Sequence, residues 1–316
     1  MIHRYKNNGY NIVLDVNSGS VHVVDDIVYD IVGCLEEKMS EAAILEKFKN
    51  QYKEEDIRTA IEECRELEEA QMLFTNDIYE NAIESFKDRP TVVKALCLHI
   101  AHDCNLACRY CFAEEGEYHG RRALMTYEVG KQALDFLIAN SGNRKNLEVD
   151  FFGGEPLMNW NVVKELVAYG RSQEKIHNKH FRFTLTTNGV LLDDDIMEFA
   201  NKEMDNVVLS IDGRKEVHDF MRPFRKGKGS YDLVVPKFQK FADSRGQQKY
   251  YARGTFTHHN LDFSEDVLHL ADLGFEQISV EPVVADEKEE YAIKKEDIPK
   301  ICEEYDKLAK EMIRRN

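Results

Sequence analysis

At 316 residues the chain has room for two domains, and 43% hydrophobic residues suffice for packed cores. Its 58 Asp and Glu against 42 Lys and Arg leave a formal net charge of −16, which repels phosphate backbones and argues against nucleic acid as a partner. No apolar run approaches the ~20 residues that span a bilayer, and the start, Met1-Ile-His-Arg-Tyr-Lys6, lacks the apolar stretch of a signal peptide, so the expectation is no membrane association and a cytoplasmic location, with the seven cysteines held as reduced thiols or metal ligands.

Residues 1–76 read as a small α+β unit. Ile12–Val16 and Val21–Val24 are β-rich runs around the hairpin signal Asn17-Ser-Gly-Ser20, and Ile2–Tyr10 supplies a third strand. Three helical patterns follow. Asp25 or Asp26 caps one with Ile27, Ile31 and Leu35 on a face, Ser40 caps one with Ile44 and Phe48, and a third runs from about Glu54 with Ile57, Ile61, Cys64 and Leu67. Strands followed by three helices suggest a winged-helix-like domain. A winged helix usually raises the question of DNA, but residues 1–90 hold 20 Asp plus Glu against 10 Lys plus Arg, a balance of −10 that opposes a duplex. The arrangement resembles instead the recognition elements of enzymes that modify ribosomally made peptides. That resemblance implies a leader peptide added as a strand to the sheet edge formed by Val21, His22, Val23 and Val24. A purely structural cap is the competing reading.

Residues 77–90 form a polar connector, with Ile78, Ala82 and Phe86 at helical spacing, that ends at Pro90. From 91 to 290 the pattern alternates. Strands are expected at 96–101, 147–152, 181–187, 207–211, 250–257 and 277–284, and helices at 127–140, 160–174, 194–204, 231–244 and 265–273. Six βα repeats fit an α/β fold, a parallel sheet curled into a partial (β/α)6 barrel. Residues 291–316 read as a C-terminal helix.

The chemistry is concentrated where the expected strands end, the face on which parallel βα architectures build their sites. After the first strand stand Cys104, Cys108 and Cys111, spaced C-x3-C-x2-C. Three clustered thiolates suit an iron-sulfur cube held at three corners, with the fourth iron open to another ligand. A structural zinc site is the alternative, although it needs a fourth ligand; His102 is the nearest candidate. Gly153-Gly-Glu-Pro156 follows the second strand, with glycines that permit a close ligand and a carboxylate, Glu155, to accept from an ammonium. Thr186-Thr-Asn-Gly189 follows the third and Ser210-Ile-Asp-Gly213 the fourth, and Arg222 beyond them can pair a carboxylate. Arg253–Thr257 and Ser279–Val283 point polar groups, Glu281 among them, into the same mouth. Cys97 is read as a core residue, and Cys34, Cys64 and Cys302 as small hydrophobes on helices.

The C-x3-C-x2-C spacing with an aromatic, Tyr110, before the last cysteine is the signature of the radical S-adenosylmethionine (SAM) superfamily, which this segment resembles. The resemblance implies a [4Fe-4S] cluster on Cys104, Cys108 and Cys111 whose open iron binds the amino and carboxylate groups of SAM. Reductive cleavage then releases a 5′-deoxyadenosyl radical. It also implies SAM contacts from Tyr110, Gly153, Gly154, Glu155, Pro156, Asn188, Ser210, Asp212 and Arg222. The stretch Cys111-Phe-Ala-Glu-Glu-Gly-Glu-Tyr-His-Gly120, the N-terminal domain and Ser210-Ile-Asp-Gly213 together resemble the maturases of SCIFF peptides (six cysteines in forty-five residues), over essentially the whole chain. Such enzymes form thioether bonds between a cysteine sulfur and a carbon of another residue in a ribosomally made Cys-rich precursor peptide, with an electron donor such as ferredoxin or flavodoxin. They carry a C-terminal SPASM domain with auxiliary [4Fe-4S] clusters. This chain stops at Glu311-Met-Ile-Arg-Arg-Asn316 without a cysteine-rich extension, so either it is truncated or auxiliary clusters are absent. Related alternatives are a sulfatase-maturase-like or carbon-carbon crosslinking enzyme, and a peptide-binding module without turnover.

Overall fold

The computed structural model describes residues 1–89 and 91–315; Pro90, where the connector was expected to end, and Asn316 lie outside the described residues. The chain divides into two compact units, residues 1–90 with 310–316, and residues 91–309.

The first unit opens with an antiparallel meander of Ile2–Asn7 (β1), Tyr10–Asp15 (β2) and Ser20–Val24 (β3), in that spatial order. Asn8 and Gly9, with φ of 50° and 85°, make the β1–β2 turn. Two successive left-handed residues match the right-handed twist of a hairpin, which is why Asn-Gly is favoured there. The second strand accordingly begins at Tyr10, two residues earlier than the β-rich run suggests. Helices Asp26–Glu36 (α1), Glu41–Phe48 (α2) and Glu54–Glu69 (α3) follow, the first two capped by Asp25 and Ser40, whose side chains accept from Val28 N and Ala43 N. Their apolar stripes meet on Val13 of β2: Ile31, Ile44, Ile57 and Ile61 are all buried in one core. Asp15 is buried beside them. Burial raises its carboxyl, but hydrogen bonds from Thr75 Oγ1 and from the N–H groups of Thr75, Ser18 and Asn17 outweigh that and hold it at about 2. The connector holds a short helix, Ile83–Lys87 (α4).

The second unit is built on a seven-stranded sheet. Ala95–His102 (β4), Asn146–Gly153 (β6), His180–Thr187 (β7), Asn206–Ser210 (β8), Tyr250–Phe256 (β9) and Ile278–Pro282 (β10) are parallel neighbours in the order β10-β9-β8-β7-β6-β4. Ala123–Leu124 (β5) adds an antiparallel edge that was not anticipated. Helices Tyr127–Asn140 (α5), Trp160–His177 (α6), Asp194–Glu203 (α7), Lys215–Met221 (α8), Tyr231–Ser244 (α9) and Phe263–Asp272 (α10) connect the strands. Period-2 alternation gives the sheet two faces. Leu147, Val149, Phe151, Phe181, Phe183 and Leu185 are fully buried on the helix side, each contributing ~1.5–3 kcal/mol. Asp150, Phe152, Thr184 and Thr186 take the other face and are only half-buried. Strand count and order are those of a partial barrel.

Three expectations need correction. Cys97 is exposed, because Leu98 and Ile100 take the core face of β4 and alternation sends their neighbour to the other side. Cys302 is also exposed, whereas Cys34 and Cys64 are buried. The C-terminal helix (α11) runs Ile298–Arg315 and not from residue 291; Ala292 is buried in the preceding segment. Among the described residues no helix is long and apolar enough to cross a membrane.

Candidate active site

The loops after β4, β6, β7 and β8 enclose a cavity of about 330 Å3 lined by Cys104, Cys108, Cys111 and Glu155, among others. Of the residues singled out from sequence, Tyr110, Gly153, Gly154, Asn188, Ser210 and Arg222 also line it. Pro156 and Asp212 do not. Pro156 opens the turn Pro156–Asn159 that leads into α6, and Asp212 lies behind the cavity wall.

The cysteine loop is held from far along the chain. Arg225 donates through Nε and Nη2 to the carbonyl of Cys104 at 3.0 and 2.7 Å and pairs with Asp103 and Glu115. The N–H groups of Ala107 and Arg109 donate to the carbonyls of Pro223 and Met221. No local pattern announces this clamp. Nearby donors reach the first sulfur: Leu106 N and Asn188 Nδ2 both lie 3.5 Å from Cys104 Sγ. Burial, then the charge of Glu155, pushes the Cys104 thiol up to about 12, and burial pushes Cys108 to about 11. Burial therefore favours the neutral form of these two thiols, and binding iron must release their protons.

Glu155 is fully buried. Oε1 accepts from Thr187 Oγ1 (2.7 Å) and Leu157 N (3.0 Å), and Oε2 from Asn188 N (2.8 Å). Burial raises its pKa while these bonds oppose the rise, so the carboxylate is oriented but incompletely compensated. The paired glycines have another cause than the one expected of them. A Cβ on Gly154 would stand 2.1 Å from the carbonyl oxygen of Asp103, and one on Gly153, at φ 124°, 2.5 Å from that of Ala101. They let the end of β6 approach the backbone after β4, where Gly154 N and Glu155 N donate to those same two carbonyls. Gly116, which also lines the cavity, packs against Gly154 in the same way.

Behind Cys108 runs a buried polar chain. Tyr110 OH donates to Asp212 (2.7 Å), Arg222 Nη1 donates to Tyr110 OH (2.7 Å), and Asp212 Oδ1 also accepts from Thr255 N. Asp212 N donates to His218 Nδ1, leaving Nε2–H to donate to Ser230 Oγ, which donates to the carbonyl of Arg222. Burial and Arg222 lower His218 to about 3, so its ring is neutral. The Nε of Arg222 is buried with no partner. Thr186, Arg253 and Thr255, which belong to motifs the sequence singles out, line the cavity from the inner sheet face together with Phe152 and Val208, which sequence reasoning missed; Arg253 pairs with Glu281 there.

These features fit an iron-sulfur cluster with SAM. Three thiols from one loop face one cavity, a cluster spreads three thiolates over three irons, and a buried carboxylate and a guanidinium with a spare donor flank the space. A single zinc ion needs its donors convergent, and among the described residues no three His, Cys, Asp or Glu side chains are so placed.

Comparison with known proteins agrees. Residues 98–252 match the Radical SAM superfamily. The uncharacterized protein MJ0907 of Methanocaldococcus jannaschii is 34% identical over 139 residues, 44% of this chain and 45% of that one. The radical SAM cyclopropyl synthase TigE of Paramaledivibacter caminithermalis is 26% identical over 162 residues, 45% and 34% of the two chains. A serine-type anaerobic sulfatase-maturating enzyme of Bacteroides thetaiotaomicron is 32% identical over 140 residues, 42% and 32%. The matches thus span less than half the length of these relatives. Among solved structures, native anSMEcpe with bound AdoMet and Kp18Cys peptide has a TM-score of 0.61 at 20% identity, covering 72% of this chain and 62% of that one. SuiB of Streptococcus suis bound to S-adenosylmethionine has a TM-score of 0.54 at 16% identity, covering 100% and 70%. The chain carries a radical SAM superfamily domain on an α/β partial-barrel fold, and the cofactors of that family are a [4Fe-4S] cluster and S-adenosylmethionine.

Proposed function

We propose that this chain is the N-terminal and radical SAM portion of a peptide maturase that forms thioether bonds in a ribosomally made Cys-rich precursor. One observation carries the reading: the same chain holds a cavity with three cluster-ready thiols and, in its first unit, an open sheet edge at β3 beside a groove. Cys104, Cys108 and Cys111 would hold the cluster. Glu155 would accept from the SAM ammonium, Arg222 would pair its carboxylate, and Asn188 and Ser210 would meet its ribose or carboxylate. Bound there, cluster and SAM supply a 5′-deoxyadenosyl radical when one electron arrives from a donor such as ferredoxin or flavodoxin. The chain's part is to hold the ammonium and carboxylate in fixed positions, as buried groups do at little reorganisation cost. Thioether closure replaces a C–H and an S–H by a C–S bond. One hydrogen atom leaves in 5′-deoxyadenosine, the thiol proton would pass to water, and one electron would pass to an oxidised iron-sulfur cluster as acceptor. The leader would add as a strand to β3, main-chain pairing providing affinity and pockets providing selection.

The relatives named above favour a second reading, in which the same site performs sulfatase-type maturation or forms carbon-carbon bonds. Mass spectrometry separates the two. Incubation of the reduced, reconstituted chain with SAM and a Cys-rich precursor should yield 5′-deoxyadenosine and a peptide lighter by two hydrogens per bond, with each lost hydrogen pair mapping to a cysteine resistant to alkylation. Product whose cysteines all remain alkylatable would remove the thioether reading and leave the second.

A further inference from the structure

The first unit has a groove of about 450 Å3 between β3 and α3, its apolar floor made by Val24, Val28, Cys64 and Leu67 and its acidic lining by Asp25 and Glu63. Among the described residues no Lys or Arg lines it. The wall is acidic well beyond the groove. The α3 sequence carries eight Asp and Glu against Arg58 and Arg65, and both arginines are engaged by Glu41, Glu54 and Glu62. β3 is an edge of its sheet, and Val21 and Val23, which line the open side of the groove, are 62% and 65% exposed. A strand added to that edge would put every second side chain into the groove and the others beside the two valines.

Resting on the leader-docking reading above, we infer that the segment taken by this groove is basic: an extended stretch with apolar side chains at alternate positions and Lys or Arg between them. The apolar positions cover Val24, Val28, Cys64 and Leu67. The long aliphatic stems of Lys or Arg cover Val21 and Val23 while their charged ends stay in water within the field of Asp25, Glu63 and the rest of α3. An acidic segment would meet like charge at each of these places, and a neutral one would gain main-chain pairing and apolar burial without the charge attraction.

The test uses the full chain and three fluorescein-labelled octapeptides in which valine alternates with lysine, serine or glutamate, followed by fluorescence anisotropy. The lysine peptide should bind about tenfold tighter than the serine one, since a few exposed charge pairs are worth that much, and should lose the advantage at high salt. The glutamate peptide should bind weakest. Glu63→Lys, a change at an exposed position, should narrow the gap between lysine and serine peptides, with Glu63→Gln intermediate. Equal binding of lysine and serine peptides would overturn the basic-segment inference and leave strand docking standing. If no peptide binds, or Val23→Pro with native circular dichroism binds the lysine peptide as tightly as the parent chain, the leader-docking reading itself falls.

Discussion

The two units hold their candidate ligands by opposite means. In the second, the cavity wall is made of buried charged side chains: Glu155 is fully buried, and Arg222 lies 3.9 Å from the buried Asp212 with Tyr110 between them. In the first, the groove offers a strand edge and apolar side chains, with its acids at the rim. Removing one member of a buried charged set leaves the others uncompensated, at a cost of several kcal/mol, whereas a strand edge loses little when one side chain changes. Single substitutions should therefore be severe in one place and mild in the other unless they touch the main chain.

The largest expected effect is at the cysteines. A Cys104→Ala, Cys108→Ala, Cys111→Ala chain should hold no cluster, where the parent chain, reconstituted anaerobically, should hold about four irons. Iron analysis and the charge-transfer absorption of the cluster check this. Next comes Glu155→Ala, which should weaken SAM binding by roughly one to two orders of magnitude with the cluster intact, the worth of a charge-assisted hydrogen bond at about 1.5–3 kcal/mol. Equilibrium dialysis with labelled SAM would show it, and an unchanged affinity would take Glu155 out of the site.

In the first unit the severest side-chain change should concern stability and not binding. Asp15 has a folded pKa of about 2 against the ordinary carboxyl value of 3.8, so its contribution is fully present above the unfolded pKa and is lost as the pH falls through the folded one. Asp15→Asn should cost about 2 kcal/mol at neutral pH, with the difference from the parent chain shrinking between about pH 4 and pH 2. Urea unfolding across that range is the measurement. The smallest effect expected is at the edge strand: Val23→Pro, which removes a main-chain donor, should weaken leader binding about tenfold while SAM cleavage without peptide is unchanged. Val23→Ala should do much less. If alanine proved as damaging as proline, side chains and not the strand edge would carry the binding, and the contrast between the units would collapse.

Much of the fold is legible because its signals are local. The periodic stretches Tyr127–Asn140 and Tyr231–Ser244 are helices with those boundaries, and alternation in β6 and β7 gives the two faces of the sheet. Alternation also contained the correct answer for Cys97, since Leu98, Ile100 and their neighbours leave it no place in the core. The Asn8-Gly9 pair was a further local signal, and it sets the start of β2. The short edge strand β5 and the seven-residue helix α8 are too brief to carry a period.

The residues that gather at the strand ends were visible as motifs, but their supports were not. Arg225 holds the carbonyl of Cys104 from 121 residues away, and His218 links Asp212 to Ser230 and Arg222 through a ring that burial keeps neutral. Such contacts exist only after the loops of several strands have been brought together. Gly154 shows the same limit differently. Glycine beside a ligand site suggests room for the ligand, while the nearest obstacle to a side chain is the protein's own Asp103 carbonyl.

In the proposed site Cys104, Cys108 and Cys111 present a cluster with an open iron to a SAM molecule anchored by Glu155. Electron paramagnetic resonance of the dithionite-reduced chain tests this arrangement most directly. The parent chain should give a [4Fe-4S] signal that changes on addition of SAM, Glu155→Ala one that changes only at much higher SAM, and the triple cysteine variant none. A signal indifferent to SAM, or one that survives loss of all three cysteines, would contradict it.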